Sequence, residues 1–580
     1  MLYPVENEIR QVQVLSGIWK FRKEDYIGQG TEEKWYERPL TNCMEMPVPA
    51  SYNDITTDRT LRDHVGWVWY EREFQVPKAW MENRMVLRFG SVTHHAVVYV
   101  NGKELTRHKG GFLPFEAVVD GYVHPGKNRV TVAVSNLLDT SCLPFGLLRD
   151  GDEPHHKEQT IHFDFFNYSG IHRPVKLYTT PRAFIKDVTV VTDIDGTDGI
   201  IDYCILTEGN PENVEITLLD EDGATVAECH GTAGRILVKD AHFWEVRAAY
   251  LYELDIRSGE DHYTLPVGIR TVRVTEKQLL LNGKPVYLKG FGKHEDSDIR
   301  GKGLDDALNV RDFELLKWIG ANSFRTSHYP YSEELMQMAD RQGFLVMDEV
   351  PAVGMNDFVG TPFFVPGLVD EETLSHHKEV LTELYNRDKN HPCVIMWSVT
   401  NEPFSTNDRA LGYFEEVTRH IRALDQTRPV VGVINVQLDQ ERVAHLFDVI
   451  CLNRYYAWYT DHPGDTGRIY GMLTEEFRKW HGRYRKPVMM TEYGADTIPG
   501  LHKLPDVIFS EEFQIAYYRE NNRALDDCDF VIGEHLWAFA DFMTGFGLRR
   551  FDGNKKGIFT RQRQPKSAAF HIKERWAKKN

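Results

Sequence analysis

The hydrophobic pattern of this sequence changes near residue 275, and this change constrains the fold more than any other feature. Before that point, short runs such as RMVLRFGSV and NRVTVAVSN alternate apolar and polar residues and are separated by turn residues, which is typical of antiparallel sheets. Residues 1–180 therefore predict a jelly-roll-like β-sandwich. A second set of such runs, over residues 181–274, has the length of an immunoglobulin-like sandwich.

From residue 275 to residue 580, strand-like and helix-like segments alternate. VRDFELLKWIG places Phe313, Leu316 and Ile319 on one helical face, and a second helix is predicted to begin at a Ser332 cap and end at Gly343. The strand candidates are YLKGFGKHE, ANSFRTSH, FLVMDEV, CVIMWSVTN, VVGVIN, DVICLNRY, PVMMTEY and FVIGEHLWAF. Their number and the roughly 300 residues that they span predict a (β/α)8 TIM barrel.

Charge and cysteine content limit what this protein can be. Lys and Arg number 68 against 86 Asp and Glu, a net charge of -18, which repels nucleic acid and anionic lipid. The start, MLYPVENEIRQVQVL, lacks the pattern of an export signal, and no run of 18 apolar residues occurs. Seven scattered cysteines predict neither a disulfide framework nor a zinc site. We expect a soluble cytoplasmic protein with no nucleic-acid or membrane partner.

Polar residues that follow the fourth and seventh predicted barrel strands form the candidate catalytic site. The fourth strand ends in WSVTNEP, with Asn401 and Glu402, and the seventh ends in TEYG, with Glu492. In such a barrel, residues at the carboxyl ends of the strands face the active site. Each glutamate alone could instead cap a helix or form a salt bridge, but two of them after these strands favour a catalytic pair.

Paired carboxyl groups at a barrel mouth suit hydrolysis of a glycosidic bond, since one protonates the leaving oxygen while the other meets the oxocarbenium charge. We expect Glu402 to be the general acid, with a pKa raised by an apolar setting near Trp397 and by the second carboxylate. Glu492 is expected to stay ionised as the nucleophile. A separation of about 5 Å predicts retention of anomeric configuration, and about 6.5 to 9.5 Å predicts inversion.

Several motifs resemble those of glycoside hydrolase family 2. SFRTSHYP, DKNHPCVIMWSVTNEP and MMTEYG resemble its signatures, and the resemblance spans essentially the whole chain. Within the family, GNKKGIFTR, LNRYYAWY, FDFFNYSGIHRPV and GFGKHEDSDIRGKG resemble the members, above all bacterial ones, that hydrolyse β-glucuronides. The implied domains are a sugar-binding-like sandwich (1–180), an immunoglobulin-like sandwich (181–274) and a catalytic barrel (275–580).

The resemblance implies an exo-acting, retaining hydrolysis of β-D-glucuronides to glucuronic acid and an aglycone, with no metal ion and no cofactor. Glu402 is implied as the acid/base, Glu492 as the nucleophile that forms a covalent glycosyl-enzyme, and Asn401 as a ligand of the sugar's 2-hydroxyl. The implied partners are small-molecule glucuronides and, in a homotetramer or other homo-oligomer, further copies of the chain.

The other implied sugar contacts follow from matching motifs one by one. Asp164 belongs to the first sandwich and is implied to bind sugar hydroxyls beside His328. Alternatively, Asp164 could cap a turn and His328 could be a structural residue. Trp537 is implied as the floor under the sugar ring, with a core tryptophan as the alternative. The implied ligands around the two glutamates are Asn453, Tyr455 and Tyr459.

A basic segment, RRFDGNKKGIFTRQRQPK, stands out in this acidic chain. A glucuronide differs from a glucoside by its C5 carboxylate, which fixed, positively charged donors in a partly dry pocket would bind. We expect Asn554 and Lys556, two residues apart in an extended loop, to bind that carboxylate, with Arg550 reinforcing them and Lys555 facing solvent. Surface or structural contacts are expected for Arg549, Arg561, Arg563 and Lys566.

The apolar loop DFVGTPFFVPGLVDEET contains Phe358, Phe363 and Phe364, which could line an aglycone site or a subunit interface. Two alternative functions stay open. A β-galacturonidase would share the fold, both glutamates and the carboxylate-binding loop. A non-catalytic carbohydrate-binding scaffold would fit the two sandwiches, but Glu402 and Glu492 in their strand-end motifs argue against it.

Overall fold

The chain begins with two antiparallel sheets that pack face to face. The computed structural model describes residues 1–152, 155–209, 213–459, 462–548 and 550–579. One sheet has the strand order Met44–Val48, Gly17–Lys23, Trp67–Val76, Gly126–Ser135, His95–Val100, Lys103–Lys109. The other has the order Val12–Val14, Val175–Thr180, Arg84–Phe89, Phe115–Val118. Smaller elements are the strand pairs Gly146–Asp150 with Lys157–Ile161 and Val92–Thr93 with Gly170–Ile171, the helices Gln29–Glu32 and Arg59–Arg62, and the 3₁₀ turn Lys78–Glu82.

The strand Gly126–Ser135 shows why these residues form a sandwich. Val130, Val132 and Val134 are buried in the core between the two sheets. Ala133, which lies between two of these valines, belongs to a separate buried cluster on the other face of the sheet. Because side chains alternate between the two faces of a strand, this pattern fills both layers, and the predicted β-sandwich is confirmed.

A second pair of sheets follows. The strands Phe184–Asp195, Asp198–Glu208 and Ala233–Val238 form one sheet, and Thr225–His230, Val214–Leu219, Tyr252–Ser258 and Asp261–Val267 form the other. Val188, Ile201, Ile216 and Leu254 fill the core between them. Three plus four antiparallel strands around one apolar layer agree with the predicted immunoglobulin-like sandwich.

A small meander, made of Val272–Val274, Leu279–Leu281 and Lys284–Val286, leads into a closed barrel. In the part of the chain that the structure describes, eight parallel strands form the barrel in chain order. They are β1 Leu288–Gly292, β2 Ser323–Arg325, β3 Leu345–Glu349, β4 Val394–Asn401, β5 Val430–Ile434, β6 Ile450–Asn453, β7 Val488–Glu492 and β8 Val531–Trp537. The predicted TIM barrel is therefore confirmed.

Helices cover the outside of the barrel. They are α1 Asp306–Ile319, α2 Glu333–Gln342, α3 Glu371–Asp388, α4 Asp408–Leu424, α5 Ile469–Tyr484, α6 Glu511–Asp526 and α7 Ser567–Ala577, with 3₁₀ turns at Ala444–Leu446 and Thr466–Arg468. Ser332 caps α2 by accepting a bond from the Leu335 N–H at 3.2 Å, and Gly343 ends it with a φ of 67°, as predicted. Among the described residues, the helices are all too short or too polar to cross a membrane.

The first sandwich reaches the mouth of the barrel through residues 162–169. The N–H of Phe166 donates to the carbonyl of Met543 at 2.9 Å, and Arg561 Nη2 donates to the Tyr168 hydroxyl at 2.9 Å. The ring of Phe165 packs against His294 with centroids 5.2 Å apart. These contacts fix the adjacent residue, Asp164, at the barrel mouth.

A buried ion pair also joins the first sandwich to the barrel. Arg88 Nη2 donates to both carboxylate oxygens of Glu333 at 2.7 and 2.8 Å, and Arg88 Nη1 donates to Glu116 at 2.5 Å. Burial alone would raise the pKa of Glu333, but the charges of Arg88 and Arg387 and the hydrogen bonds from Arg88 together hold it below the usual value. Arg88, the larger of the two charge effects, therefore helps to keep Glu333 ionised inside the protein.

We predict that Arg88→Ala lowers the free energy of unfolding by about 3 to 5 kcal/mol, because it leaves a buried carboxylate without its cation. Equilibrium urea unfolding followed by tryptophan fluorescence measures the loss. The matched control is Arg235→Ala, which removes an exposed bidentate partner of Asp202 and should change little. Equal effects of the two substitutions would contradict the role of the Arg88 pair.

Candidate active site

Glu402 is the first residue after β4, and its backbone conformation is unusual. Its φ of 51° lies in the left-handed region, which costs a residue other than glycine about 1 to 3 kcal/mol. Neighbouring segments hold this conformation: the Glu402 N–H donates to the Val433 carbonyl at 2.8 Å, and Asn356 Nδ2 donates to the Glu402 carbonyl at 3.2 Å. Strain at this position, held by β5, points to a functional role for the side chain.

The carboxyl group of Glu402 is held in its protonated form near neutral pH. Burial and, after it, the negative charge of Glu492 raise the pKa of Glu402 to about 8. Asn453 Nδ2, which donates to Glu402 Oε1 at 2.8 Å, acts in the opposite direction. A carboxylic acid that stays protonated at pH 7 can donate its proton to a leaving group.

Glu492, at the end of β7, has a different environment. Arg325 Nη2 donates to its Oε1, and the Tyr455 hydroxyl donates to its Oε2 at 2.7 Å. Burial and the charge of Glu492 keep the pKa of Tyr455 well above its ordinary value, so that the phenol stays a donor. Two donors, one of them a cation, therefore hold the Glu492 carboxylate in place, whereas Glu402 accepts a bond from the neutral amide of Asn453.

Arg325 and Glu349, which the sequence analysis did not single out, lie under this pair. Arg325 Nη1 donates to the two oxygens of Glu349 at 2.8 and 2.9 Å, and Ser398 Oγ donates to Glu349 Oε2 at 2.7 Å. Burial alone would raise the pKa of Glu349, but Arg325 and His328 hold it below the usual value. Arg325 ends β2 and Glu349 ends β3, so the strand-end rule that selected Glu402 could have found both.

Two asparagines connect the acid to this network. Asn401 Oδ1 accepts a bond from Arg325 Nη1 at 3.3 Å, and Asn453 Nδ2 lies 3.4 Å from the same oxygen. Asn453 Oδ1 accepts from Thr491 Oγ1 at 2.9 Å. The amide groups of Asn401 and Asn453 are thereby oriented at the ends of β4 and β6, beside Glu402.

His328 and Trp537 form one wall of the site. Their rings stack with centroids 4.8 Å apart at an angle of 25°, and His328 Nδ1 lies 3.0 Å from Glu349 Oε1. Trp537 ends β8 and is buried. Both residues therefore lie next to the charge network of Arg325, Glu349 and Glu492, and Trp537 presents a flat apolar surface there.

Trp397 does not contribute to the setting of Glu402, and this expectation was wrong. Its indole N–H donates to Asp425 Oδ2 at 2.9 Å, and its ring faces Tyr385 of α3. Simple alternation along β4 would put Trp397 and Asn401 on the same face. An irregularity in the pairing between Ser398 and Asn401 breaks that alternation, so the tryptophan faces the helices while the asparagine faces the mouth.

A second polar cluster contains the residues predicted to bind a carboxylate. Asn554 Nδ2 donates to Asp164 Oδ2 at 2.9 Å, and Arg550 binds both oxygens of Asp164 at 2.9 and 2.6 Å. The Tyr459 hydroxyl accepts from Arg550 Nη2 at 2.6 Å and from Lys556 Nζ at 2.5 Å. Tyr459 thus lies against the cations, whereas the sequence placed it around the glutamates.

The loop that carries these donors is built tightly. Gly553 has a φ of 91°, and a β-carbon there would lie 2.4 Å from the Phe542 carbonyl oxygen, so only glycine fits. Asn554 Oδ1 accepts the N–H of Lys556 at 3.0 Å. The neighbouring Lys555 faces away and pairs with Asp552 at 2.8 Å, but its side chain is largely covered rather than solvated.

The other cations of the basic segment make structural contacts, as predicted. Arg561, which is half-buried, binds Asp296, and the buried side chains of Arg563 and Lys566 bind Asp312 at 2.9 Å and Asp541 at 2.8 Å. They are not on the surface because the segment runs back across the barrel mouth. Arg549 lies outside the described residues.

The phenylalanines of the apolar loop do not act as one surface. Phe363 packs against Phe145 of the first sandwich, and Phe364 packs against Tyr413 of α4, and both are buried. Phe358 alone of the three is exposed, by 64%. The expectation that the three rings line an aglycone site or an interface is therefore wrong for Phe363 and Phe364, because both rings are packed in the hydrophobic core.

One group of side chains in the described chain has the spacing of a metal site, namely Asp340, His391 and Cys393. They lie at the amino end of β4, opposite the mouth. His391 Nδ1 and the Cys393 N–H bind the two oxygens of Asp340. These contacts tie the segment before β4 to α2, so the structure gives this group a role in the fold.

Two carboxyl groups within electrostatic reach of each other at the mouth of a barrel, one of them with a pKa raised to about 8, are what cleavage of a glycosidic bond requires. The fold and the site therefore define a glycoside hydrolase. Residues 12–181 match the family model "Glycosyl hydrolases family 2, sugar binding domain", and residues 272–580 match "Glycosyl hydrolases family 2, TIM barrel domain". The chain belongs to glycoside hydrolase family 2, and its full-length relatives place it in the β-glucuronidase group of that family.

Three relatives illustrate this placement. A β-glucuronidase of Paenibacillus borealis is 51% identical over an alignment of 588 residues, gaps included. The alignment covers 99% of this chain and 98% of the relative. The solved structure of an uncultured Clostridium sp. β-glucuronidase is 62% identical, covers 100% of both chains and has a TM-score of 0.97. That of Ruminococcus gnavus β-glucuronidase in complex with D-glucaro 1,5-lactone is 44% identical, covers 99% of both chains and has a TM-score of 0.95.

The raised pKa of Glu402 makes a prediction about stability. A carboxyl group whose pKa rises from 4.5 to about 8 on folding opposes folding increasingly as pH rises through that window. The glutamine side chain of the Glu402→Gln variant stays neutral. The melting temperature of the variant minus that of the wild type should therefore increase between about pH 4.5 and 8 and then level off. Differential scanning calorimetry across pH 4 to 9 measures this difference.

Removing the charge of Glu492 provides the matched comparison. In a Glu492→Gln background, the second cause of the shift is absent, so the window in which Glu402→Gln gains stability should end at a lower pH. A stability difference that does not change with pH would contradict the assignment of Glu402 as the protonated carboxyl group.

Proposed function

We propose that this enzyme is an exo-acting, retaining β-glucuronidase, which hydrolyses β-D-glucuronides to glucuronic acid and an aglycone through a covalent glycosyl-enzyme. The observation that carries the proposal is the cluster of Lys556, Asn554 and Arg550 beside the unequal glutamate pair. The relatives named above support the substrate class, and the Ruminococcus gnavus enzyme was solved with D-glucaro 1,5-lactone.

In the first step, Glu492 Oε1 or Oε2 attacks the anomeric carbon while Glu402 gives its proton to the glycosidic oxygen. The bond between the anomeric carbon and the aglycone breaks, and an ester bond to Glu492 forms. Glu402 suits the proton transfer because its pKa of about 8 keeps it protonated at neutral pH. Arg325 and Tyr455 hold the attacking carboxylate in position.

In the second step, the ester at Glu492 has lost its negative charge. Since that charge is a cause of the raised pKa of Glu402, its loss lowers the proton affinity of Glu402, which then accepts a proton from water. The water oxygen attacks the anomeric carbon and displaces Glu492, so two inversions restore the original configuration. Membership of glycoside hydrolase family 2, for which the sequence resemblance implies a retaining mechanism, supports retention over inversion.

Recognition of the sugar's carboxylate falls to the second cluster. Lys556 has a fully buried side chain and presents an ammonium group, and Asn554 presents an amide N–H beside it. A site built around buried donors rejects a ligand that lacks the partner group by about 10⁴- to 10⁵-fold in favourable cases, since the donors are left unpaired. Glucosides should therefore be poor substrates.

The exo-acting mode is supported by the first sandwich. Asp164 and Arg550 form a bidentate ion pair that connects the sandwich to the loop of Asn554, and we infer that this pair closes the site beyond the sugar. Asp164 would bind sugar hydroxyls, His328 would lie beside it, and Trp537 would lie under the ring. Asn401 would hold the 2-hydroxyl. A homotetramer and a cytoplasmic location stay predictions.

We predict that Lys556→Ala lowers kcat/KM for nitrophenyl β-D-glucuronide by about 10²-fold or more and changes kcat/KM for the β-D-glucoside much less, because only the glucuronide carries the carboxylate. The measurement is the ratio of the two kcat/KM values, with the β-D-galacturonide as a third substrate. Lys555→Ala, one residue away and directed elsewhere, is the control.

An unchanged glucuronide-to-glucoside ratio in Lys556→Ala would contradict the carboxylate-binding role. A wild-type enzyme that hydrolyses the galacturonide faster than the glucuronide would instead establish a galacturonidase. Absence of hydrolysis of all three substrates would return the protein to the class of carbohydrate-binding scaffolds.

A further inference from the structure

Asp496 is a buried carboxylate in the second cluster that the sequence analysis did not single out. It lies four positions after Glu492, on the segment that leaves β7, and its side chain is 4% exposed. Its Oδ2 accepts a bond from Lys556 Nζ and lies 3.4 Å from Arg550 Nη1. Its Oδ1 accepts the backbone N–H of Lys555 at 2.8 Å. One carboxylate therefore binds both cations of the cluster and the backbone between Asn554 and Lys556.

These contacts fix the direction of the Lys556 ammonium group. An ammonium group has three N–H donors. One is bound by Asp496 and a second by the Tyr459 hydroxyl at 2.5 Å. Within the described ranges these are its hydrogen-bond partners, so the direction of the third N–H is set by the first two. Without Asp496, the flexible lysine stem would leave that direction undetermined.

The formal charges of the cluster show why a fixed direction of the Lys556 ammonium group matters. Lys556 and Arg550 contribute two positive charges, and Asp496 and Asp164 contribute two negative charges. Burial alone would raise the pKa of Asp496, but Lys556 and Arg550 outweigh burial and hold it below the usual value, so Asp496 stays charged. A sugar carboxylate thus meets a cluster with no formal net charge. Net charge therefore does not select the sugar carboxylate, and the orientation of the hydrogen-bond donors must select it.

We propose that Asp496 is a specificity-determining positioning residue, which orients Lys556 and the loop of Asn554 toward the C5 carboxylate of the substrate. This inference rests on the proposed function, because it assigns how the same site distinguishes an acidic sugar from a neutral one. Asp496 itself acts through Lys556 and makes no contact with the reacting atoms. Its loss should therefore change the choice of substrate more than the bond cleavage.

The test is Asp496→Asn, which keeps the size of the side chain and removes its charge. An amide has one acceptor oxygen, so it cannot serve both Lys556 Nζ and the Lys555 N–H. A donor displaced by about 1 Å costs up to about 10²-fold, and we expect the glucuronide-to-glucoside ratio of kcat/KM to fall by about 10- to 100-fold. The change should lie mainly in KM for the glucuronide, while kcat for the glucoside stays within about threefold.

The control is Asp541→Asn, which damages another buried aspartate–lysine pair, on the segment that follows β8. Asp541 binds Lys566 at 2.8 Å, and this pair does not include Lys556. Loss of the Asp541 charge should affect both substrates alike and leave their ratio unchanged. A ratio that fell equally in both variants would overturn the specific role of Asp496.

A double-mutant cycle with Lys556→Ala tests whether Asp496 acts through Lys556. If it does, the double variant should have the same substrate ratio as Lys556→Ala alone, because no ammonium group remains to be oriented. Ratio changes that multiply would overturn the proposal. If Asp496→Asn does not fold, Asp496→Glu keeps the charge and displaces the carboxylate; it should give a smaller fall in the ratio, and an unchanged ratio would overturn the proposal.

The wild-type enzyme separates failure of this inference from failure of the proposed function. A wild type without preference for the glucuronide would overturn the proposed function, and the role of Asp496 with it. A wild type that prefers the glucuronide, together with an Asp496→Asn variant that keeps the full preference, would overturn the role of Asp496 alone.

Discussion

The charge of one buried guanidinium group, that of Arg325, organises the catalytic end of this site. Arg325 is fully buried and binds Glu349 with two hydrogen bonds and Glu492 with another. A buried carboxylate without a cation would be costly or would take up a proton. Burial and, after it, the negative charge of Glu492 raise the pKa of Glu402 to about 8. By binding Glu492, Arg325 therefore holds in place the charge that adds to the effect of burial on Glu402.

A separate set of ion pairs organises the other end, where the substrate is chosen. Asp164 and Asp496 bind Arg550 and Lys556 from two directions, one from the first sandwich and one from the segment after β7. Under the proposed function, bond cleavage and substrate choice rest on different charge networks in one barrel mouth.

Sequence could predict those parts of the site that follow from local pattern. Apolar runs that end in polar residues located Glu402 and Glu492, and the run of positive charges around Asn554 in an acidic chain located the basic loop. The strand-end rule could also have located Arg325 and Glu349, but it could not predict the pairing of Arg325 with Glu349 or of Asp496 with Lys556, since these partners are distant in sequence and meet only when the barrel closes. The prediction for Trp397 was wrong for another reason. The irregularity after Ser398 changes which side chains of β4 face inward, and the residue types of this strand do not predict that irregularity.

The most direct test of this account is to trap the glycosyl-enzyme with an activated 2-deoxy-2-fluoro-β-D-glucuronide, because the fluorine slows breakdown of the intermediate. Intact-protein mass spectrometry should show one added 2-fluoroglucuronyl group, and peptide mapping should place it on Glu492. Activity should return slowly as the ester hydrolyses. Attachment to Glu402, or full turnover with no adduct in an enzyme that cleaves the glucuronide, would contradict the assignment of Glu492 as the nucleophile that Arg325 holds in place.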